Sequence, residues 1–489
     1  MLCFLLIKTG GCFVDMLIKT GGCFVELNEK ILYYELMKRK YLAFLQEWLI
    51  AHDRKPLVIR GVRQVGKTWL VRYFAKQQDR RLIELNFEKE PQLASFFKSN
   101  DPKQILLNLG SFLGEVIHRD QCLLFLDEIQ AVPELLAKLR WFAEDLPELP
   151  VIAAGSLLEF VLEEHNFSMP VGRIGYMYME PLSFEEFLVA SKQESLLSYL
   201  EAFQWNTEIP EALHEKLISL FKEYIVIGGM PAAVSSWVID RSLPKVNQIH
   251  RNLITTYRDD FAKYCGRIDK ERLDEILLAI PKLLGEKFIY SKVNSDVQSA
   301  PIKQAFELLC KARVCHRVTS THANGVPIGA ELDKKFFKAI FLDVGLCSAA
   351  LDLTLDQITT IDEISLINSG GIAEQVSGQL LRTISLSYIE PELYYWLREG
   401  KNSAEIDYII QHGSHLIPIE VKAGSTGSLK ALHLFMGLKK LSTALRINSN
   451  LPSQTDVQVK DQDGNEIKYT LLSIPFYLLG QIHRLIKEQ

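Results

Sequence analysis

Three sets of residues in this sequence have the types and spacing to do chemistry. The first is Gly61-Val62-Arg63-Gln64-Val65-Gly66-Lys67-Thr68, which follows the apolar run Leu57 to Ile59 and precedes a helical pattern. Glycines at this spacing let a backbone fold closely around phosphates. The N–H groups of Val62, Arg63, Gln64, Val65 and Gly66, and of the helix start through Trp69, would then face the anion. Lys67 would reach the terminal phosphates as a point charge, and the Thr68 hydroxyl would ligate Mg²⁺. Strand, loop and helix in this order are the setting the P-loop pattern requires.

The second set closes the run Cys122-Leu-Leu-Phe-Leu126 with Asp127 and Glu128. A continuous apolar run of this length fits a strand buried on both faces of a parallel sheet. At its end the first acid is placed to hold Mg²⁺ through water, and the second to orient a water towards a γ-phosphate. A further apolar strand, Val151 to Ala154, ends in Gly155-Ser156. That strand end opens on the same crevice, so Ser156 is a candidate γ-phosphate sensor. Arg173, in a loop after these strands, is a candidate arginine finger.

The third set lies near the C-terminus. Asp407 sits in the strand pattern Ala404 to Ile410, His412 to His415 make a turn, and Leu416 to Lys422 return as a strand. Residues two apart on a strand share a face, so Glu420 and Lys422 point the same way and Asp407 on the paired strand can meet them. Two carboxylates and a lysine converging in this way suit Mg²⁺ binding and activation of a hydrolytic water.

Further elements must position these groups. Residues 38–55 and 100–119 read as helices, Arg81 to Phe87 as a strand, and Val132 to Phe142 as a helix. Residues 184–240 are helical with a break at Gly228-Gly229-Met230-Pro231, and 241–265 continue as helix. Residues 270–345 carry helical patterns around two strands, Arg313 to Val318 and Lys335 to Leu342, which is a winged-helix-like pattern. Lys282, Lys287, Lys292 and Lys303 give that region positive charge, diluted by acids. The tail from 431 to 489 carries a helix, a polar hairpin at 456–470 and a final helix, with no site.

Composition sets outer bounds. With 489 residues the chain is long for one core. Its net charge of -5 does not favour whole-molecule attraction to nucleic acid. Eight cysteines without a CxxC pair or zinc spacing suggest reduced thiols in the cytosol. No apolar run reaches the roughly 18–20 residues that cross a bilayer. Near the start, residues 6–15 recur at 17–26, an offset of 11. We read residues 1–36 as a duplicated leader outside the fold, with the folded chain starting near Met37.

The Arg60 to Thr68 run, Leu126-Asp-Glu-Ile-Gln130, Ala154-Gly-Ser156, Pro181 to Phe187 and Tyr224 to Pro231 together resemble a prokaryotic family of AAA-superfamily ATPases fused to a C-terminal domain of uncharacterised function. In that family the strand end is usually Thr-Gly-Ser-Ser. Here Ala154 and Leu157 depart from it, which weakens Ser156 as a sensor. The Asp-x(n)-Glu-x-Lys pattern resembles the PD-(D/E)xK nuclease superfamily. That resemblance implies Glu374 as a helix acid, Glu374, Asp407 and Glu420 as metal ligands, and Lys422 as catalytic lysine.

The expectation is therefore an α/β chain of four parts. They are a P-loop NTPase parallel sheet (37–183), a helical lid and connector (184–265), a winged-helix-like region (266–350) and a C-terminal α/β restriction-endonuclease-like domain (351–489). The expected activity is Mg²⁺-dependent ATP hydrolysis, with Lys67, Glu128 and Arg173 acting on the phosphates. The alternatives are an ATP-gated DNA nuclease and a nucleotide-dependent binding switch with negligible turnover. DNA enters as a candidate partner through the nuclease resemblance, and a homo-oligomer through a finger acting in trans.

Overall fold

The computed structural model describes residues 37–156, 158, 170, 172–264, 269–360, 364, 370–400, 403–421, 429–460 and 464–487; the repeat-bearing leader lies outside them. The N-terminal part is built on β1 (Leu57–Arg60), β2 (Arg81–Asn86), β3 (Cys122–Asp127), β4 (Val151–Gly155) and β5 (Gly175–Tyr178). Their order is β2-β3-β4-β1-β5 and every neighbouring pair is parallel. Alternate residues feed two separate cores. Leu57, Ile59, Leu123, Phe125, Ile152 and Ala154 face one layer, while Val58, Leu124, Leu126, Val151 and Ala153 face the other. This is why the strands read as unbroken apolar runs.

Helices α1 (Tyr41–Ile50) and α2 (Lys67–Gln77) cover the first layer; α3 (Pro102–Leu113) and α4 (Leu135–Asp145) cover the second. The expected helix at 100–119 is shorter in the structure. Asp101 caps its N-terminus by accepting from Lys103 N, and Gly114 stops it in the left-handed region.

A helical region follows: α5 (Phe184–Ala190), α6 (Glu194–Ala202), α7 (Glu211–Ile227), α8 (Pro231–Asp240) and α9 (Leu243–Tyr264). A capping box between Ser183 and Glu186 opens α5. The break at Gly228-Gly229 seats the chain directly on Leu182. Leu182 N donates to Gly229 O at 2.8 Å, and a Cβ on Gly229 would lie 2.2 Å from Leu182 O.

The middle region departs from the winged-helix expectation. It contains α10 (Lys270–Ala279), α11 (Ser299–Lys311), β6 (Cys315–Thr321), β7 (Leu332–Phe341) and α12 (Val344–Ala350). The β6–β7 hairpin is no free wing. β6 pairs in parallel with β8 (Leu393–Arg398), from Val318↔Leu393 to Ser320↔Tyr395. It thereby joins one eight-stranded mixed sheet, ordered β12-β13-β11-β10-β9-β8-β6-β7. The remaining strands are β9 (Ala404–His412), β10 (His415–Val421), β11 (Thr443–Asn448), β12 (Ser453–Lys460) and β13 (Glu466–Pro475). The expected division at residue 350 therefore cuts through a sheet. A parallel strand pair separated by some seventy residues leaves no local trace in the sequence. Helix α13 (Gly371–Thr383) is tied to this sheet through Gln375, which donates to Phe341 O at 2.8 Å and accepts from Phe341 N at 2.7 Å.

Candidate functional site

The parallel sheet brings four strand ends to one edge. Arg60 lies beside Gly155, Ala154 beside Asp127, and Asp127 beside Asn86. The Gly61–Thr68 loop, Asp127-Glu128 and Ser156 thus emerge together at the C-terminal edge, where open α/β sheets bind ligands. Gly66 caps α2 at φ 98, a conformation that a side chain disfavours.

Lys67 is buried and folds back across the loop, donating from Nζ to Gly61 O at 2.9 Å and Val62 O at 3.0 Å. The Thr68 hydroxyl donates to Asp127, with Oγ1 3.1 Å from Oδ2. Asn86 Nδ2 donates to the same oxygen at 3.2 Å. Burial, reinforced by the Glu128 charge, pushes the Asp127 carboxyl up to about 6. A buried carboxylate in this state favours a cation beside it.

Glu128 itself takes a left-handed backbone, φ 52, and its Oε2 accepts from Gln130 Nε2 at 2.6 Å. The amide oxygen of Gln130, Oε1, and the Ser156 hydroxyl are both buried with no hydrogen-bond partner. Orphaned polar atoms at a strand edge are costly unless a ligand or water meets them. Phosphates and a hydrated divalent cation fit this donor set: backbone N–H groups, an ammonium, a hydroxyl beside a carboxylate, and unsatisfied polar groups opposite. The Trp69 ring stacks on Tyr73 at 4.9 Å.

Two cations hold this loop: Arg39, which the sequence reading did not single out, and Arg63, which it named only for its backbone N–H. Arg39 is buried and donates to Val65 O at 2.9 Å, to Glu186 Oε1 at 2.9 Å and to Glu180 O at 2.6 Å. It fastens the loop to the start of α5. Arg63, within the loop, donates to Asp260 Oδ2 of α9 at 2.5 Å, and its carbonyl accepts from Tyr257 OH at 3.1 Å. Burial weakens the Arg63 charge, but the Asp260 bond and the charges of Asp260, Glu88 and Glu128 more than offset it.

Arg173 is not at this edge. It precedes β5, whose first residue Gly175 pairs with Leu57 at the start of β1. Since β1 and β5 are parallel, Arg173 lies at the opposite end of the strands from the loop, about 10 Å or more away. It is half exposed and paired with Glu144 Oε1 at 2.8 Å. Within one chain it cannot serve as the finger.

Comparison with known families divides the chain into three matched stretches. Residues 53–188 match the AAA domain. This stretch is an AAA-type P-loop domain. Residues 218–357 match one domain of unknown function (DUF8612), and residues 369–475 match another (DUF4143). No curated protein matches the chain. Similar solved structures include an ORC2 protein of Aeropyrum pernix in ADPNP–ADP complexes, at 14% identity over 68% of this chain and 92% of that one, TM-score 0.32. The RuvB Holliday junction branch migration motor of Thermotoga maritima is similar at 17% identity, over 63% of this chain and 92% of that one, TM-score 0.27. PCH-2 of C. elegans is similar at 11% identity, over 45% of this chain and 69% of that one, TM-score 0.27.

Beyond the AAA domain, the expected C-terminal metal constellation assembles differently. Glu374 on α13 and Asp407 on β9 do meet, but around an ammonium. Lys338 of β7 is 2% exposed, with Nζ 2.9 Å from Glu374 Oε2, 3.7 Å from Asp407 Oδ1 and paired with Glu405. Asp407 Oδ2 is engaged by Val421 N at 2.8 Å. Burial alone would lower the Lys338 pKa, yet Glu374, Asp407 and Glu405 hold it well above the usual lysine value. Glu374 is pushed up to about 7 by burial and by Asp407 and Glu405, against Lys338.

Glu420 is buried on β10, where its charge helps burial push the Tyr469 phenol up to about 12. Lys422 lies outside the described residues. Among the described residues, no group of three or more His, Cys, Asp or Glu could hold a metal ion. Glu374 and Asp407, two of the three carboxylates expected to hold a metal, here flank the ammonium of a lysine, Lys338, which supplies positive charge between them. Its signal was present in Phe337-Lys338-Ala339-Ile340-Phe341, because a lysine inside an apolar run must be partnered when buried.

Proposed function

We propose that the chain binds and hydrolyses ATP at the AAA domain, and that nucleotide state is communicated to a C-terminal module that binds a partner without cutting it. The observation that carries the first part is the Thr68–Asp127 hydrogen bond, beside a Lys67 folded onto its own loop and opposite the orphaned Ser156 hydroxyl. In this reading Gly61, Gly66 and the backbone from Val62 to Trp69 cradle the phosphates. Lys67 leaves Gly61 O and Val62 O for the terminal phosphates, and Ser156 and Gln130 meet polar atoms at the strand edge. Thr68 and Asp127 would hold Mg²⁺, which supplies charge neutralisation between the phosphates when bound. Glu128 orients the attacking water once Gln130 lets go of its carboxylate.

That Gln130–Glu128 bond also favours a second reading, a nucleotide switch with very slow turnover. The two separate on the steady-state ATPase rate. Hydrolysis well above that of Glu128→Gln supports the first reading, and equality with it supports the second.

The non-cutting role rests on Lys338, whose ammonium stands between the carboxylates that a nuclease would give to a metal. Duplex DNA as the bound partner rests on the nuclease-like sequence resemblance. Its test is whether DNA changes the ATPase rate.

A further inference from the structure

A loop that cradles phosphates with its backbone has no evident use for the Arg63 side chain. It is the third of the eight residues from Gly61 to Thr68, so its guanidinium starts at the mouth of the loop. There it donates to Asp260 Oδ2 at 2.5 Å and lies 3.7 Å from Glu88 Oε2. Its own carbonyl accepts from Tyr257 OH at 3.1 Å. Tyr257 and Asp260 are three apart on α9 and so share a face. One helix therefore grips one loop residue twice, once through the backbone and once through the charge. The Glu128 carboxylate is near enough for its charge to act on the same guanidinium. Arg63 thus bonds a helix carboxylate while it feels the charge of Glu128, the carboxylate proposed above to orient the attacking water.

We infer that Arg63 is a two-position latch: it pairs with Asp260 when no terminal phosphate is present, and moves to the γ-phosphate when ATP is bound. The inference rests on the reading of the loop as an ATP site and names how that site signals. A terminal phosphate brings more charge than a carboxylate and three acceptor oxygens, which a planar guanidinium takes in pairs. ADP lacks that group, so Arg63 stays with Asp260.

The helix at stake is long, 22 residues, and packs on α10 and α12. α12 directly follows Asp343, whose carboxylate accepts from Gly229 N at 2.6 Å and from Gln379 of α13 at 3.1 Å. Loosening the loop end of α9 therefore acts on the elements that carry the eight-stranded sheet. A ligand shifts such an equilibrium only by its differential affinity for the two states. Here the differential group is the γ-phosphate.

The test uses the full chain and two readouts that need no turnover. The first is the affinity for a Mg²⁺ complex of a non-hydrolysable ATP analogue and for Mg²⁺–ADP, by competition with a fluorescent ADP derivative. The second is amide hydrogen exchange across residues 250–260. Asp260→Asn is expected to tighten the ATP analogue roughly tenfold and leave ADP within about twofold, since it removes a competitor for Arg63. Arg63→Ala is expected to weaken the analogue roughly tenfold or more with ADP little changed, and Arg63→Lys to fall between. In the unsubstituted chain the analogue, but not ADP, is expected to speed exchange in 250–260, and Arg63→Ala to erase that difference. An unchanged ATP-to-ADP affinity ratio in Arg63→Ala and Asp260→Asn, with both nucleotides bound, would overturn the latch alone. Failure of the unsubstituted chain to bind either nucleotide would overturn the latch and the ATP site together.

Discussion

Arg382 of α13 donates to Glu180 Oε1 at 2.8 Å, while the backbone carbonyl of the same Glu180 accepts from Arg39, which also holds the P-loop at Val65 O. Three hydrogen bonds thus lead from the nucleotide loop to the helix that packs on the C-terminal sheet. Arg313 adds a second cation, 3.3 Å from Glu180 Oε1. Burial alone would raise the Glu180 pKa, but Arg382, His316 and Arg313 hold it well below the usual carboxylate range.

Breaking this node should cost folding free energy. Glu180→Gln leaves the buried Arg382 guanidinium without its counter-charge and Arg313 with Glu390, and should destabilise the chain by roughly 3 kcal/mol. The sign with pH follows from a depressed carboxylate. The stabilisation is fully present above the ordinary Glu value of 4.5 and is lost as pH falls towards the lower folded value. Denaturant unfolding of both proteins should show a constant gap from pH 6 to 8 that narrows below about pH 4. A gap under about 1 kcal/mol at pH 7 would remove Glu180 as a load-carrying link.

Asp127 should behave in the opposite sense. Its folded value is raised from 3.8 to about 6, so its charge opposes folding above pH 6, and that penalty fades as pH falls towards 3.8. The shift corresponds to roughly 3 kcal/mol at most. Asp127→Asn without nucleotide should therefore unfold at higher temperature than the unsubstituted chain at pH 7.5, with the advantage shrinking near pH 5. The same substitution should abolish Mg²⁺-dependent hydrolysis. Lower thermal stability of Asp127→Asn at pH 7.5 would contradict the assignment of Asp127 as a buried carboxylate awaiting a cation.

Lys338 yields a third prediction. Lys338→Met leaves Glu374, Glu405 and Asp407 without the cation that pairs with all three and should destabilise by about 3 kcal/mol or more at pH 8. Glu374 titrates at about 7 even with the lysine present, so lowering the pH to 5.5 should recover part of the loss. The unsubstituted chain should leave supercoiled plasmid uncut in Mg²⁺ or Mn²⁺, and Asp407→Ala should not change that. Metal-dependent nicking that Asp407→Ala removes would reinstate the nuclease reading.

The parts that were legible in the sequence are those where local pattern carries the physics. Leu57 to Thr68 reads correctly because strand, loop and helix are consecutive, and Cys122 to Asp127 because a two-faced strand must be apolar throughout. What escaped were long-range partners. Nothing near Arg39 or Asp260 in the chain shows that each meets the P-loop, since the partners are 26 and 197 residues away. The eight-stranded sheet was missed for the same reason: β6 reads as half of a hairpin, and its pairing with β8 appears only once the chain is folded. Glu374 and Asp407 were rightly brought together, but the cation between them came from β7, a strand that the sequence assigned to a different domain. Arg173 lies away from the P-loop of its own chain, which the sequence could not show because a loop position does not say which end of the sheet the loop is on.

The most direct test is the steady-state ATPase rate of the full chain in Mg²⁺, compared with Lys67→Ala and Glu128→Gln. The account predicts measurable hydrolysis in the unsubstituted chain and loss of at least about a hundredfold in both variants, with Glu128→Gln still binding ATP and Lys67→Ala binding it poorly. Hydrolysis that survives Lys67→Ala would contradict it, because the activity would then lie outside the loop on which the fold converges.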